Sequence, residues 1–220
     1  MAMQALDLQN ARIAAQEAVR KVRAAKDHLD PASIDLILRD ARSHYAWTDR
    51  PVEEALLREI YEITIAGPTS MNTCPARFVF VTSEAAKDRL AKSLKAKNID
   101  KMRAAPVTAI IAWDPQYWTQ LPFLFPHEDR RPLFEGNQAY IDDTGFRNST
   151  LQGAYFMIAA RAVGLDVGAM SGFSNEIVEA EFFAENGWKS NFLCNLGYAD
   201  ENALFQKLPR FAFDQICSVI

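Results

Sequence analysis

Four short segments and two cations near the C-terminus supply hydrogen-bond donors and positive charge that suit the binding of a small molecule. They are Arg42–Trp47, Gly67–Asn72, Asn98–Lys101, Ala169–Phe173 and the pair Lys207 and Arg210. The spacing of Asn98 and Lys101 places an amide and an ammonium on one face of a helix. Each segment alone is also typical of an ordinary turn or a solvated surface, so only their combination predicts a site.

The sequence lacks the motifs of several large enzyme classes, namely GxSxG, HExxH, the P-loop and GxGxxG. Cys74 has no histidine at a diagnostic spacing, and Asp142 and Asp143 fit a solvated helix start better than an acid–base pair. No set of metal ligands can be assembled from the scattered histidines, which are His28, His44 and His127. We therefore expect neither a nucleophilic side chain nor a bound metal.

Composition and charge place the chain among ordinary globular proteins. It has 220 residues, 49 % of them hydrophobic and 24 % charged, which is enough for one domain with a large core. Its net charge of −4 disfavours nucleic acid and anionic lipid as partners, and no run approaches the roughly 18 apolar residues of a membrane span. The N-terminus lacks a signal peptide's apolar run, and the 3 separated cysteines fit a reducing compartment. We expect a cytoplasmic protein without a nucleic acid or membrane partner.

Strand and helix patterns predict an α+β fold. Strands are expected at Phe78–Thr82, Val107–Trp113 and Phe192–Tyr198, and the second is apolar throughout, as in a strand buried on both faces. Residues 1–40 indicate one or two helices, with a new helix starting at the Asp30–Pro31 step.

Further helices are predicted between the strands. Asp49 as a cap and Pro51 in the first turn predict a helix that ends before Gly67, and Ser83 predicts the cap of the next one. The helix predicted over 148–163 is apolar almost all the way round, so we expect it in a core or a subunit interface. Between these elements, 114–135 is irregular and rich in proline and aromatic residues. It has two interpretations, a functional lid or a flap that packs on its own rings.

Longer strings, in order along the chain, resemble the nitroreductase family of FMN-dependent oxidoreductases. They are GPTSMNTCPARFVFV, APVTAIIAWD, LPFLFPHEDRR, FRNSTLQGAYF, RAVGLDVGAMSGF, SNFLCNLGYAD and KLPRFAFDQIC. Within the family they are most similar to the malonic semialdehyde reductases of bacterial pyrimidine utilisation. The resemblance runs from about Ala41 to the C-terminus, which implies an N-terminal helical extension, 1–40, and one FMN-binding domain, 41–220.

The resemblance implies a nitroreductase-like α/β sandwich, with a mixed sheet flanked by helices, in an intertwined homodimer that binds FMN. The implied cofactor-binding residues are Arg42, Ser43, His44, Pro68, Thr69, Ser70, Asn72, Asn98, Lys101, Met170, Ser171, Gly172, Lys207 and Arg210. The family's second cation in the first segment is missing near His44 and Tyr45, so we expect the phosphate to depend more on Arg210.

The resemblance also implies positions around the flavin ring. The Pro68–Asn72 turn lines the ring and its ribityl chain, and Asn98 and Lys101 lie beside the pyrimidine edge, where a cation favours electron uptake. Backbone donors at Ser171 and Gly172 face N5 and O4. Many relatives have glutamate in place of Ser171, but a contact through the backbone is expected to survive that change.

The implied reaction is a hydride transfer from NADH or NADPH to FMN and then to a second substrate, with ping-pong kinetics and no catalytic side chain. The subfamily implies that 3-oxopropanoate is reduced to 3-hydroxypropanoate. By residue type alone, Arg147 and Arg77 are candidates to bind this acid. The alternatives are a broad nitro- or quinone-reducing flavoenzyme and a flavin-binding protein without turnover.

Overall fold

The computed structural model of the chain describes residues 2–220, in two separate units, residues up to Asp40 and Ala41–Ile220. The helices are α1 (Ala2–Ala25), α2 (Pro31–Ile34), α3 (Glu54–Ile65), α4 (Glu84–Ala91), α5 (Ala96–Ala104), α6 (Leu121–Leu124), α7 (Gln138–Ala162), α8 (Asn175–Phe182) and α9 (Phe213–Ile216). The strands are β1 (Ala76–Val81), β2 (Val107–Trp113), β3 (Asp166–Met170) and β4 (Lys189–Gly197). Short 3-10 turns occur at Ser70–Asn72, Tyr117–Gln120, Arg131–Leu133 and Glu201–Ala203.

The first unit is helical. It contains α1 and α2, and α2 continues as a π-helix over Asp35–Arg39. The Asp30 carboxylate accepts a hydrogen bond from the Ser33 amide at 2.9 Å, with Pro31 in the first turn. The helix restart predicted from the Asp30–Pro31 step is therefore confirmed.

The second unit contains a four-stranded sheet in the order β1-β2-β4-β3. Every neighbouring pair of these strands is antiparallel. The mixed sheet expected from the resemblance is present only as a single parallel bridge from Ser43 to Val167, beside β3. β2 has the predicted bounds and is buried along its whole length, as its apolar sequence requires.

The side chains of β2 alternate between the two faces of this sheet, and helices pack against both faces. Ile111 lies in a core cluster with Ile60 of α3 and Phe156 of α7. Ile110 lies in a second cluster with Leu90 of α4 and residues of α5 and α8. The result is an α+β sandwich whose helices α5 and α7 lie against opposite faces of the sheet.

α3 begins at Glu54, so the cap and first turn predicted at Asp49 and Pro51 are wrong. The physical reason is a tertiary contact. The Thr48 amide donates to the Tyr198 carbonyl at 2.8 Å, which holds the chain extended against the end of β4. The Ser83 cap is confirmed, because its hydroxyl accepts from the amide of residue 86 at 3.3 Å.

Ser83, which caps α4, and Asp49, which caps no helix, give a matched prediction for stability. Ser83→Ala is expected to lower the free energy of unfolding by about 0.5–2 kcal/mol, because an amide of α4 loses its acceptor. Asp49→Ala is expected to change it by less than about 0.5 kcal/mol. Urea denaturation of both variants measures the difference, and an equal loss in the two would show that Ser83 is not acting as a cap.

α7 starts at Gln138, well before the predicted 148–163, because its first turns mix apolar residues such as Ile141 with polar ones and lack the continuous apolar character of the later turns. The Asn137 side chain caps it by accepting from the amide of residue 140. Its buried face also contains polar groups, such as the Gln152 amide oxygen, which accepts from the Ala76 amide at 2.9 Å. This helix therefore anchors the start of β1 as well as filling the core.

The 114–135 segment packs largely on its own aromatic side chains. Tyr117 and Phe134 are buried in an edge-to-face contact with ring centroids 5.6 Å apart, and Leu121 joins the same cluster. Burial also raises the pKa of Tyr117. Phe123, in contrast, is 81 % exposed. The flap interpretation describes this packing, and a lid function stays a prediction.

Cys194 is fully buried in β4, and its burial raises the pKa of the thiol to about 12. Because the thiolate is the reactive form, Cys194 is expected to resist iodoacetamide at pH 8 in the folded protein. The half-buried Cys74 and the exposed Cys217 are expected to react. Peptide mapping after labelling measures this, and rapid modification of Cys194 without denaturant would contradict the burial.

Candidate functional site

A cavity of about 300 Å³ lies between α5, the end of β3 and the segment before α3. Its lining residues are His44, Tyr45, Lys95, Lys97, Asn98, Lys101, Gly168, Ala169, Met170, Ser171, Gly172 and Asn195. The predicted residues that meet here come from three of the four segments. Sequence segments far apart in the chain are thus brought to one cavity by α5 and β3.

The loop after β3 holds the N-terminal end of α5. The buried Asn98 side chain donates to the Gly172 carbonyl at 3.1 Å, and the Lys95 amide donates to the same oxygen at 3.4 Å. A Cβ atom at Gly172 would lie 2.7 Å from the Asn98 amide nitrogen. Glycine at 172 therefore allows the close approach of this loop to α5, since a larger residue would displace the Asn98 side chain.

His44 is 8 % exposed and is held by β3. Its amide donates to the Val167 carbonyl at 3.0 Å, and its Nε2 lies 3.2 Å from a carboxylate oxygen of Asp166. Burial opposes the ionisation of Asp166, but hydrogen bonds from His44 and the Ala199 amide keep its pKa below the usual value. His44 Nδ1 is buried with no hydrogen-bond partner among residues 2–220. A buried donor or acceptor of this kind is costly unless a ligand satisfies it.

The cavity is positive. Lys95, Lys97 and Lys101 line it, and no carboxylate lines it within the part of the chain that the structure describes. Lys101 Nζ lies 4.3 Å from the centroid of the Tyr45 ring, which places the ammonium over an aromatic face. These side chains can bind an anionic ligand that has a flat polar edge.

The predicted Pro68–Asn72 turn does not line this cavity. It is anchored to α7, because the Ser70 amide donates to the Asn148 side chain at 2.8 Å and the Tyr155 hydroxyl donates to the Pro68 carbonyl at 3.0 Å. Asn72 donates to a carbonyl of α6 at 2.8 Å. Three non-glycine residues in and after this turn have positive φ angles, namely Met71 at 49°, Asn72 at 51° and Cys74 at 41°. Strain held in this way by surrounding contacts is typical of functional turns.

The remaining predicted cofactor residues lie apart from the cavity lining. Ser43 is exposed, and the carbonyl of Arg42 accepts from the Arg161 guanidinium at 3.3 Å. Lys207 and Arg210 lie in the C-terminal segment 201–220, in which every residue is exposed. Their role in the site stays a prediction.

Neither candidate for acid binding lines the cavity. Arg77 donates to Asp114 at 2.8 Å and lines a second groove of about 820 Å³ between α3 and β1. Arg147 is exposed on α7 and pairs with Asp143 at 2.9 Å. Their assignment to substrate also stays a prediction.

Sequence reasoning missed Lys95, Lys97 and Asn195 as lining residues. The two lysines look like ordinary solvated residues until α5 is placed against β3. Asn195 carried a signal, since it is a single polar residue inside the apolar run of β4 and is 1 % exposed. Because a buried polar side chain needs hydrogen-bond partners, an asparagine within an apolar strand is itself an indication of a nearby polar site.

Comparison with known proteins decides the family. A sequence profile described as the nitroreductase family matches residues 38–198. The chain belongs to the nitroreductase family. A Burkholderia lata protein, provisionally named an NADH dehydrogenase/NAD(P)H nitroreductase, is 51 % identical over 191 residues, covering 87 % of this chain and 98 % of the relative. A protein of Ralstonia nicotianae with a similar name is 47 % identical over 192 residues, covering 87 % and 98 %.

Solved structures of nitroreductase-family proteins share the fold. One from Bacillus subtilis has a TM-score of 0.77 at 17 % identity, covering 87 % of this chain and 100 % of the other. One from Exiguobacterium sibiricum, solved in complex with FMN, has a TM-score of 0.74 at 21 % identity, covering 88 % and 98 %. The predicted nitroreductase-like α+β fold is confirmed.

Two other features bear on function. Of the helices in residues 2–220, none combines the length and the apolar character needed to cross a membrane. In the same part of the chain, no three side chains of His, Cys, Asp or Glu lie together as metal ligands do.

Proposed function

We propose that this nitroreductase-family chain is an FMN-dependent NAD(P)H oxidoreductase whose flavin lies in the cavity beside α5. The chemistry of the cavity carries the proposal, because Lys95, Lys97 and Lys101 line it without a facing carboxylate. FMN is an anion, because its phosphate carries nearly two negative charges, and a cavity lined by cations and oriented donors suits such a ligand. The FMN complex of the Exiguobacterium protein and the NAD(P)H in the relatives' names support the same proposal.

The residues present fit this cofactor. His44 Nδ1 is a buried atom without a partner, as expected where a ligand supplies the missing hydrogen bond. Gly172 in the wall of the cavity has no side chain, and a Cβ atom there would lie 2.7 Å from the Asn98 amide nitrogen. A flat ring can therefore approach backbone donors there, in agreement with the resemblance that places Ser171 and Gly172 at N5 and O4.

In this proposal the chain's own residues bind and orient, and they supply charge. When bound, FMN provides a ring that takes a hydride from NAD(P)H and passes it to a second substrate. With FMN bound, Lys101 would supply positive charge at the pyrimidine edge and so favour the more negative, reduced form of the ring. The Asn98 side chain donates to the Gly172 carbonyl, which holds α5 against the loop after β3 and so keeps the Lys101 ammonium in place.

We propose a homodimer, and the position of the predicted cofactor residues supports it. In one protomer, the Pro68–Asn72 turn is anchored to α7 and does not line the cavity with Lys101. A second protomer that contributes its turn to this cavity would complete the predicted set. The exposed apolar side chains on α7, Phe146 at 55 % and Leu151 at 39 %, suit an interface there.

The C-terminal segment supports the same assembly. It exposes large apolar side chains, namely Phe205, Leu208, Phe211, Phe213 and Ile216. The groove beside β1, which lies at the edge of the sheet, has an apolar floor of Leu57, Phe78 and Phe80. We infer that this segment of one protomer covers apolar surface on the other, as an intertwined dimer requires.

The proposed second substrate is 3-oxopropanoate, reduced to 3-hydroxypropanoate in the cytoplasm. Its support is the sequence resemblance to malonic semialdehyde reductases, and a positive cavity suits an acid. The alternative, a broad nitro- or quinone-reducing enzyme, is favoured by the nitroreductase names of the relatives. A flavin-binding protein without turnover is the third possibility.

Steady-state kinetics with the FMN-loaded protein distinguish these functions. We expect a kcat/KM for 3-oxopropanoate at least about tenfold above those for a benzoquinone and a nitrobenzoate, with parallel lines in double-reciprocal plots. Higher values for the quinone or the nitroaromatic would favour the alternative. A flavin that NADH and NADPH reduce only over hours would indicate storage or sensing.

Arg147 gives a smaller prediction within this function. Arg147→Ala is expected to raise the KM for 3-oxopropanoate about threefold to fivefold. The reason is the loss of an ion pair between the exposed guanidinium and the substrate carboxylate, and an exposed pair contributes up to about 1 kcal/mol. The turnover of NADH with a quinone, which has no carboxylate, is the internal control and is expected to stay unchanged. A KM for 3-oxopropanoate equal to that of the unmodified protein would remove Arg147 from the substrate site.

A further inference from the structure

We propose that Asn195, held by Thr108, is a positioning residue that fixes Lys101 at the flavin through the main chain of α5. This inference rests on the proposed FMN site and adds to it two residues that neither the motifs nor the resemblance assigned. It concerns two buried hydrogen bonds, called the relay below, that connect Thr108 of β2 through Asn195 of β4 to Lys101 in the last turn of α5.

The relay consists of two short hydrogen bonds. The Thr108 hydroxyl donates to the Asn195 side-chain oxygen at 2.7 Å, and the Asn195 amide nitrogen donates to the Lys101 carbonyl at 3.0 Å. Thr108 is 0 % exposed and Asn195 is 1 % exposed. Since a carbonyl can only accept, the amide nitrogen must face Lys101, and the oxygen is then left for Thr108. The network thus has one consistent orientation.

The Lys101 carbonyl is one of the last four of α5, which have no partner inside the helix. Asn195 satisfies it from the sheet. At the other end, Asn98 binds the Gly172 carbonyl. The helix that carries both predicted flavin residues is therefore tied to β4 near its C-terminal end and to the loop after β3 near its N-terminal end. The tie at Lys101 comes from the Asn195 side chain, which is almost fully buried at the lining of the cavity.

This geometry matters because electrostatic stabilisation depends on where the charge is held. A binding group must be kept within about 0.5 Å of its working position by the residues behind it. Without the Thr108 hydroxyl, the buried Asn195 oxygen loses its donor, and the Asn195 side chain is then held only through its bond to the Lys101 carbonyl. The end of α5 then shifts, and the Lys101 ammonium moves away from the ring.

The test uses Thr108→Val, which keeps the side-chain shape and removes the hydroxyl. Thr108 does not line the cavity, so its effect on FMN is indirect, and Asn195 is the side chain that its hydroxyl binds. The matched control is Thr64→Val, because Thr64 is also 0 % exposed and its hydroxyl binds a helix carbonyl of α3. Thr108→Ser restores a hydroxyl, and Asn195→Ala removes the relay itself.

The readouts are the dissociation constant of FMN and the midpoint potential of the bound flavin, with the melting temperature as a check on folding. We expect Thr108→Val and Asn195→Ala to weaken the binding of reduced FMN about threefold to tenfold more than that of oxidised FMN. For a two-electron couple, this equals a fall of about 15–30 mV. Thr108→Ser is expected to recover most of the potential, and Thr64→Val is expected to lower stability without moving it.

Potentials of Thr108→Val and Asn195→Ala equal to that of the unmodified protein would overturn the inference, because a purely structural relay predicts lost stability only. An equal shift in Thr64→Val would overturn it as well. If the unmodified protein binds no FMN, the proposed function fails, and this inference fails with it. If Asn195→Ala does not fold, the isosteric Thr108→Val and its serine counterpart still decide the outcome.

Discussion

Lys101→Met is expected to weaken FMN binding about tenfold to hundredfold and to lower the midpoint potential of the bound flavin. The substitution keeps the length of the side chain but removes the charge that lies beside Tyr45 in the cavity. A hydrogen bond to a charged group contributes about 1.5–3 kcal/mol, and about 1.4 kcal/mol corresponds to a factor of ten in affinity. Because the charge acts on a ring that becomes more negative on reduction, the reduced form loses more affinity than the oxidised form. Flavin fluorescence titration and a redox titration against a reference dye measure the two effects.

Lys92→Met is the matched control for this variant. Lys92 precedes α5, pairs with Glu181 at 2.7 Å and does not line the cavity. Lys92→Met removes one positive charge, as Lys101→Met does, so a general effect of net charge would appear in both variants. An FMN affinity of Lys101→Met within about twofold of the unmodified protein would place the pyrimidine edge elsewhere.

Deletion of residues 204–220 is expected to convert a dimer into a monomer and to abolish FMN retention. This segment exposes side chains such as Phe205 at 74 % and Phe211 at 72 %, and burial of each contributes about 1.5–3 kcal/mol. Loss of several such contacts weakens association by about a thousandfold or more. The deletion also removes Lys207 and Arg210, which the resemblance assigns to the phosphate. Sedimentation velocity and the visible spectrum of the purified protein measure the two outcomes.

A double point variant separates assembly from phosphate binding. Lys207→Ala with Arg210→Ala leaves the apolar side chains of the segment in place, so the dimer is expected to persist while FMN binds more weakly. A truncated chain that remains dimeric and yellow would contradict both roles of the segment. A double variant with unchanged FMN affinity would remove the two cations from the site but leave the dimer intact.

Some of the elements could be predicted from the local amino-acid sequence. β2 was predicted with its observed bounds, since an apolar run between Pro106 and a polar stretch has few alternatives. The cap at Ser83 was also predicted from a local pattern, because a serine directly before a helical stretch is a typical N-cap. β3, in contrast, contains Gly168 and Ala169 and is short, so it has almost no strand signal of its own. It forms because β4 provides a partner, and a single sequence does not contain that pairing in readable form.

In the site as well, a pattern within one helix could be predicted from the sequence, whereas contacts between distant segments could not. The i, i+3 spacing of Asn98 and Lys101 predicted a shared helix face, and both side chains line the cavity. The turn at Pro68–Asn72 was assigned through the resemblance, but within one protomer α7 holds it apart from that cavity. The relay through Asn195 was not predicted, because it depends on the register of β2 against β4.

The decisive experiment is the visible absorption spectrum of the purified protein, before and after anaerobic addition of NADH. We expect a yellow protein with the absorption of bound FMN, which bleaches promptly with NADH or NADPH and recovers when 3-oxopropanoate is added. A colourless protein that takes up no added FMN would contradict the assignment of the cavity beside α5 as a flavin site.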